Sequence, residues 1–255
     1  MADYVYNLLT KHHSVREFKD EKVPEDDVNK MIEAGQRAST SNFLQTYSII
    51  GIEDINVKEA LKEVSGQPYV VENGYLFIFV MDYYKHLVAS EDSDVVEDVQ
   101  EATESAESLL VGAIDVGLLA QNIAATAEDM GYGIVYLGSL RNDIGRMRDI
   151  LDLPDHTFPL FGMAVGVPAD SEEQAQKPRM PKELIFHQDR YDNDVDNKRE
   201  LLKTYDEAVR DYYQERTDGD RDETWSQQVT NFLSGKHRLD MLDPVSYTHL
   251  RAHET

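Results

Sequence analysis

Apolar residues recur along the chain in two periods, and the change between them predicts alternating helices and strands. Apolar positions three and four apart predict amphipathic helices over residues 4–11, 24–35, 57–64, 142–151, 201–216 and 225–233. Continuous apolar runs of strand length predict buried strands over residues 47–52, 75–81, 132–137 and 158–167. The pattern therefore predicts a mixed α/β or α+β domain followed by a C-terminal extension.

One further predicted helix, residues 109–130, is apolar on most of its sides. Such a helix belongs at the centre of a molecule or of an oligomer, because it has no broad polar face to turn to water. Asp115, Gln121 and Asn122 interrupt it, so we do not expect it to span a membrane. The segment before it, residues 91–107, holds eight acidic residues and no basic one, and its first part is predicted to be a solvated loop or the entrance to a helix.

The composition narrows the classes of function. The formal net charge is −24, from 49 Asp and Glu residues against 25 Lys and Arg, and this charge repels phosphate backbones and anionic lipid. We therefore expect no nucleic-acid partner and no membrane partner. The chain has no cysteine, which excludes disulfides, a thiolate nucleophile, a Cys-type zinc site and an iron–sulfur cluster. Its first residues lack a basic stretch followed by an apolar run, so we expect a cytoplasmic protein.

Several common catalytic and binding motifs are missing. The pair Gly131 and Gly133 lacks the third glycine of a dinucleotide-binding turn and leads into a strand, and neither a Walker A sequence nor a G-x-S-x-G elbow occurs. The Asp-rich runs 192–196 and 218–222 have the spacing of a calcium loop but lack its glycine, so solvated loops are predicted there. Adjacent histidines at 12 and 13 cannot chelate one metal from a helix face. No metal site is predicted.

Four loops of this acidic chain gather cations, hydroxyl groups and glycine: residues 12–16, 39–45, 138–142 and 177–179. Arginine makes bidentate bonds to phosphate, serine adds a neutral donor, and glycine lets backbone N–H groups approach closely. These loops are therefore the places where a phosphorylated ligand could bind. Taken singly, each is more typical of a helix cap or a turn.

Taken together, their motifs resemble a known family. The motifs are His-x-Ser-x-Arg-x-Phe at 12–18, Ser-x-Phe-Leu-Gln at 41–45, Tyr-x-Gly-x-x-Arg-Asn at 136–142, Pro-Leu-Phe-Gly at 159–162 and Lys-Pro-Arg at 177–179. In this order they resemble the flavin-dependent nitroreductase family, and most closely its NADPH-preferring, oxygen-insensitive nitroreductase and flavin reductase branch. The resemblance covers residues 4–243. It implies an α+β fold with a mixed sheet flanked by helices, an intertwined homodimer, FMN as cofactor and NADPH as co-substrate.

The resemblance also implies roles for individual residues in FMN binding. The phosphate and ribityl chain would be held by His12, Ser14, Lys177 and Arg179, with His13 standing where the family commonly has arginine. Arg16 and Gln67 would meet the pyrimidine edge of the ring, and Thr40 and Ser41 would come from the neighbouring subunit. Near flavin N5 the resemblance places Tyr136, Leu137, Gly138 and Ser139, the last where a second glycine is usual. For Tyr136 and Leu137, plain strand packing is an equally good interpretation.

Two arginines would select NADPH. By resemblance, Arg216 and Arg221 would grip its 2′-phosphate. The alternative is that Arg216 complements a helix dipole as a C-terminal charge, and that Arg221 balances the aspartates at 218, 220 and 222.

The resemblance divides the chain into an FMN-binding core at 1–168 and an extension at 169–243 that completes the FMN and NADPH site. Residues 244–255 resemble translated adapter sequence, and we expect them not to be native. The predicted activity is ping-pong hydride transfer from NADPH to nitroaromatics, quinones or free flavin, with no side chain acting as acid or nucleophile. The alternatives are a dedicated flavin reductase that supplies a partner monooxygenase, and a non-enzymatic flavin-binding or interaction protein.

Overall fold

The computed structural model describes residues 3–170, 176–235 and 238, which form two compact units divided near residue 172. The first unit contains seven helices in the described residues: α1 (Tyr4–Thr10), α2 (Glu25–Gly35), α3 (Ile55–Ser65), α4 (Tyr84–Ser90), α5 (Val96–Thr103), α6 (Ala106–Asp129) and α7 (Ile144–Leu151). Its strands are β1 (Tyr47–Ile52), β2 (Tyr75–Asp82), β3 (Gly133–Leu137) and β4 (Thr157–Gly166). The second unit contains α8 (Lys182–Ile185), α9 (Val195–Arg216) and α10 (Trp225–Ser234).

The four strands form one sheet in the order β1-β2-β4-β3. The α+β class is confirmed, but each of the three strand pairs is antiparallel, so the described sheet is not the mixed sheet that we expected. The apolar runs could not reveal strand direction, because a strand covered on both faces is apolar in either orientation.

The sheet lies between two layers of helices. Phe77 and Phe79 of β2 pack on one face with Leu119 and Ile123 of α6. Leu76, Ile78 and Val80 face the other side, where they join a cluster that includes Leu61 of α3 and Met147 of α7. This two-sided burial explains why β2 is a continuous apolar run, as predicted.

The ladder between β2 and β4 contains a bulge. Phe79 pairs with Phe161 and Val80 pairs with Pro159, so the register passes over Leu160. Proline lacks the N–H that a ladder needs, and bulges are among the places where a strand accepts it.

Helix α6 is the core helix of the first unit. By length and composition alone it could cross a membrane, a test that a core helix of a soluble protein also passes. Its buried residues include Leu119, Ala120, Ile123 and Ala124, which are at most 1% exposed and pack on the sheet and on α2. This packing agrees with the prediction that the helix lies at the centre of a molecule.

Several helices differ from the sequence prediction: α4, α5 and α8 were not predicted, and α9 begins before the predicted residue 201. The first part of the acidic stretch, residues 91–95, forms turns, which agrees with the predicted loop, and α5 follows it with Glu97 and Asp98 in its first turn. Acidic side chains are favourable at a helix N-terminus because they face the positive end of the dipole. Helix α9 begins at Val195 because Asp194 accepts hydrogen bonds from two backbone N–H groups of the first turn, so part of the run 192–196 is a helix cap and not a loop.

The predicted non-native segment, residues 244–255, lies outside the described residues. That expectation stays a prediction.

Candidate functional site

The segment 12–16 is fixed against strand β3 by one buried residue. Val15 is 2% exposed, and its backbone N–H donates to the carbonyl of Ile134 at 2.9 Å. Its side chain lies where Gly133 would carry a Cβ, only 2.6 Å from that position, so glycine is needed for the close approach. The neighbours of Val15 are less buried: Ser14 is half-buried and Arg16 is exposed, with Nη1 donating to the Ser14 carbonyl at 3.2 Å.

The two histidines of this segment have different partners. His12 Nδ1 lies 2.5 Å from Oε1 of Glu128, near the end of α6. His13 Nδ1 lies 3.3 Å from the backbone carbonyl of Lys11. No local sequence signal indicates Glu128, because its contact with His12 joins residues 116 positions apart.

The carboxyl end of β3 leads into a tight turn that contains other predicted site residues. Leu137 is 1% exposed, which agrees with strand packing, while Tyr136 is 36% exposed and meets Phe161 edge-on at 5.5 Å between ring centroids. In the turn at 138–142, Arg141 Nη1 donates to the carbonyl of Leu160, the residue that the bulge sets apart from the ladder. Burial raises the pKa of Tyr136, and the Glu128 carboxylate raises it further.

A cavity of about 360 Å³ opens at this turn. It is lined by Gly117, Gln121, Tyr136, Gly138, Arg141 and Phe161. The first two come from α6, and the others come from β3, the turn and β4. Aromatic walls with a few polar groups and an arginine suit a flat ligand with polar edges. Gln121 had been considered only as an interruption of an apolar helix.

The end of α3 is tied to the same turn. Ser65 and Ser139 share a hydrogen bond of 2.6 Å between their hydroxyl groups, and Asn142 Nδ2 donates to the carbonyl of Val64 at 3.3 Å. The helix then stops at Gly66, whose φ of +71° suits glycine. Gln67, half-buried, follows directly, so the structure brings this predicted residue to the neighbourhood of the 138–142 turn.

The loop that contains Thr40 and Ser41 is held by hydrogen bonds to helix α6. Asp115 of α6, 1% exposed, accepts hydrogen bonds from the N–H of Ser41 at 3.0 Å and from the N–H and hydroxyl of Thr46 at 3.4 and 2.9 Å. Within this loop three non-glycine residues have positive φ: Asn42 at 48°, Phe43 at 61° and Gln45 at 54°. Such backbone strain persists only where surrounding contacts enforce it. We had noted Asp115 only as a polar residue in an apolar helix.

In the second unit, two of the predicted cations contact one tyrosine. Lys177 Nζ lies 5.8 Å from the ring centroid of Tyr213, and the Arg221 guanidinium lies 3.7 Å from it. Arg179 Nη1 donates to the Lys177 carbonyl at 2.9 Å. Tyr213 itself, 5% exposed, was not predicted to matter.

The arginines assigned to NADPH are both engaged within the second unit. Arg216 Nη1 donates to the Tyr212 hydroxyl at 3.0 Å. Arg221 pairs with Glu223 at 2.7 Å and not with the neighbouring aspartates that the alternative interpretation proposed. The hydrogen bonds that Arg221 donates to Glu223 raise the pKa of the guanidinium. The carboxylate of Asp222 lies 3.0 Å from Arg210 instead.

Comparison with known proteins gives two family matches. The description "Nitroreductase family" matches residues 9–167, and "Nitroreductase family, C-terminal domain" matches residues 177–250. The second match extends into the segment that we expect not to be native.

Relatives agree with these matches over nearly the whole chain. An NADPH-dependent oxidoreductase of Staphylococcus saprophyticus is 63% identical over 246 residues, which cover 96% of this chain and 97% of the relative. The solved structure of NfrA1 nitroreductase from B. subtilis has a TM-score of 0.90 at 39% identity, with 96% of this chain and 98% of that chain covered. An NADPH:FMN oxidoreductase from Vibrio harveyi, solved with NAD+, has a TM-score of 0.83 at 31% identity and covers 95% of this chain and 96% of its own.

Proposed function

The chain belongs to the nitroreductase family and is an oxidoreductase, and from this premise we propose that it uses NADPH and bound FMN to reduce nitroaromatics, quinones or free flavin. One observation carries the proposal. The cavity at the end of β3 is lined by Tyr136 and Gly138, two of the residues that the motif resemblance assigns to the surroundings of the flavin ring. The non-enzymatic alternative does not agree with the family.

The residues of the cavity fit a flavin ring. Tyr136 and Phe161 together offer an aromatic wall, and Gly117 and Gly138 leave room beside it because they have no side chain. When bound, FMN supplies hydride transfer, which no side chain of this protein can perform. Ser139 shares its hydroxyl with Ser65, so we assign its backbone N–H to the ring rather than its side chain.

We assign the basic residues of the predicted site to the negatively charged groups of FMN and NADPH. Arg16 is exposed on a segment that Val15 fixes to β3, and we assign its positive charge to the pyrimidine edge of the flavin. His12 and Ser14 are assigned to the phosphate. The roles of Lys177 and Arg179, and those of Arg216 and Arg221 toward NADPH, stay predictions.

We propose a ping-pong order of substrates, because NADPH and a flat acceptor would both have to reach the same site over the bound flavin. The oxidised donor would then leave before the acceptor enters. Because burial and Glu128 raise its pKa, Tyr136 keeps its hydroxyl proton at neutral pH and can donate a hydrogen bond in the cavity, but it is a poor base.

We further propose that the protein is a homodimer in which α6 contributes to the interface. Three large apolar residues spaced four apart on α6 are exposed: Leu110 at 59%, Ile114 at 58% and Leu118 at 46%. A stripe of this kind is typical of a protein–protein interface. Sedimentation velocity tests the proposal: the wild type should sediment as a dimer, and Ile114→Glu should yield monomer. A monomeric wild type would refute it.

A second candidate within flavin chemistry is a reductase that supplies reduced flavin to a partner monooxygenase. The 31% identity to an NADPH:FMN oxidoreductase favours including it. Steady-state kinetics separate the two: a kcat/KM for free FMN far above that for nitroaromatics and quinones would favour the flavin reductase.

The absorption spectrum tests the function itself. The purified protein should show an absorption band at about 450 nm that bleaches when NADPH is added in the absence of oxygen. A colourless protein that cannot be reconstituted with FMN would contradict the proposal.

A further inference from the structure

We propose that Glu128 is a positioning residue of the cofactor site, which fixes the imidazole of His12 so that its other nitrogen, Nε2, donates to the phosphate of FMN. This inference rests on the proposed function. It adds a residue outside the family motifs and gives it a defined chemical task.

The geometry places a carboxylate directly behind the imidazole. Glu128 Oε1 lies 2.5 Å from His12 Nδ1, and the Glu128 side chain is only 13% exposed. The carboxylate is carried by the last turn of α6, which Ile123, Ala124 and Ala127 anchor in the core. A group on so well packed a helix is a rigid reference point for a side chain on a loop.

The chemistry of the contact determines the proton positions. A carboxylate accepts hydrogen bonds and does not donate them, so in the proposed arrangement Nδ1 of His12 carries the proton of this contact. A phosphate also accepts, so donation to it requires a second proton on Nε2. The imidazole then carries a positive charge between two anions, and Glu128 compensates that charge on the side away from the ligand. A carboxylate behind a histidine orients metal-binding imidazoles in the same way.

The adjacent histidine, His13, does not share the arrangement of His12. Its Nδ1 faces a neutral backbone carbonyl at 3.3 Å and has no described carboxylate behind it. Glu128 also influences Tyr136, whose pKa it raises in addition to burial, so its charge acts on the edge of the cavity as well as on the segment 12–16.

The test compares two ligands that differ only in the phosphate. Binding of FMN and of riboflavin to the apoprotein is measured by quenching of flavin fluorescence, in the wild type, Glu128→Gln and Glu128→Ala. The matched control is Asp129→Asn, which removes the exposed carboxylate at the next position of the same helix. We expect the Kd for FMN to rise roughly tenfold or more in both Glu128 variants, by analogy with the loss of metal affinity when the orienting partner of a metal-binding histidine is removed. The Kd for riboflavin should stay within about twofold, and the control should resemble the wild type.

A double-mutant cycle shows whether the effect passes through His12. If it does, Glu128→Gln should add little to the loss of FMN affinity caused by His12→Ala. Fully additive losses would overturn the proposal. So would equal losses of FMN and riboflavin, because they would mean that Glu128 only supports the fold.

A measurement on the unsubstituted side chains avoids variants that fail to fold. Nitrogen-15 NMR of histidine-labelled protein, with the His12 signals assigned from His12→Ala, reports which ring nitrogens carry protons. We expect a proton on Nδ1 in the apoprotein and on both nitrogens with FMN bound; an unprotonated Nδ1 in the complex would overturn the proposal. If the wild type binds neither FMN nor riboflavin, the proposed function fails. If it binds FMN and the Glu128 variants bind it equally well, the positioning role alone fails.

Discussion

The change Asp115→Ala tests how the loop with Thr40 and Ser41 is held in place. Asp115 accepts one hydrogen bond from Ser41 and two from Thr46. Thr46 is 0% exposed, so its two donors cannot turn to water when the carboxylate is removed, whereas the exposed Ser41 can. Each buried donor without an acceptor costs about 1–3 kcal/mol.

The net loss is smaller than the sum of these penalties. Removing the carboxylate also removes the cost of burying its charge, so we expect the free energy of unfolding to fall by about 2–4 kcal/mol. For a chain of this size that corresponds to a fall in Tm of roughly 6–12 °C. Without the anchor, the positive φ angles at Asn42, Phe43 and Gln45 should relax, because the loop then loses the contacts that fix its two ends at Ser41 and Thr46. FMN affinity should fall as well if Thr40 contacts the cofactor.

Thermal melts by circular dichroism, with and without FMN, measure both effects. Asp115→Asn should lie between the wild type and the alanine variant: its amide oxygen still accepts from Ser41, but its NH₂ group faces the N–H of Thr46. Glu107→Ala removes an exposed carboxylate from the same helix and should change stability by at most about 1 kcal/mol. If Asp115→Ala costs no more than Glu107→Ala, the reasoning that this carboxylate holds the loop is wrong.

Three further changes test other parts of the structure. Arg16→Ala should weaken FMN binding by about 1.5–3 kcal/mol, the value of a charged hydrogen bond, in a fluorescence titration; an unchanged Kd would contradict its assignment. Arg216→Ala should raise KM for NADPH far more than for NADH, whereas equal losses would assign the residue to the fold. Tyr132→Phe removes the 2.7 Å bond to Asp27 and should lower Tm at pH 7. Hydrogen bonds from Lys30 and Tyr132 hold the pKa of Asp27 below its usual 3.8. The Tm of the wild type should therefore exceed that of Tyr132→Phe by less as the pH falls below that value. Burial and Asp27 raise the pKa of Tyr132 to about 12. The difference in Tm between the wild type and Tyr132→Phe should therefore persist up to about pH 10 and vanish as the pH rises through about 12. A difference in Tm that does not vary with pH would contradict the pairing.

The sequence predicted the strands and the core helix because their signal is local. The bounds of β1 agree with the predicted run, and β2 could be recognised because both of its faces are buried. Helix α5 was missed because it spans only eight residues, most of them exposed and three of them acidic, which leaves too short an apolar period to recognise.

The site was predictable only in part, because its contacts join distant segments. The motifs indicated residues 12–16, which lie against β3, and residues 136–139, which include the end of β3 and the start of the turn that follows it. No pattern could indicate that Glu128 meets His12 or that Asp115 holds the loop at 41–46, since each bond depends on how α6 packs. A polar residue inside an apolar helix was the one available signal, and Asp115 and Gln121 both gave it.

The bulge in β4 has a consequence for how this protein can vary over evolutionary time. The carbonyl that holds Arg141 belongs to the backbone of Leu160, so many different side chains at position 160 would leave that acceptor in place. Deletion of the residue would instead close the ladder, with the flanking pairs Phe79–Phe161 and Val80–Pro159 still in place, and would withdraw the acceptor from Arg141. Descendants of this gene can therefore change the amino acid at this position far more freely than they can change the length of the strand.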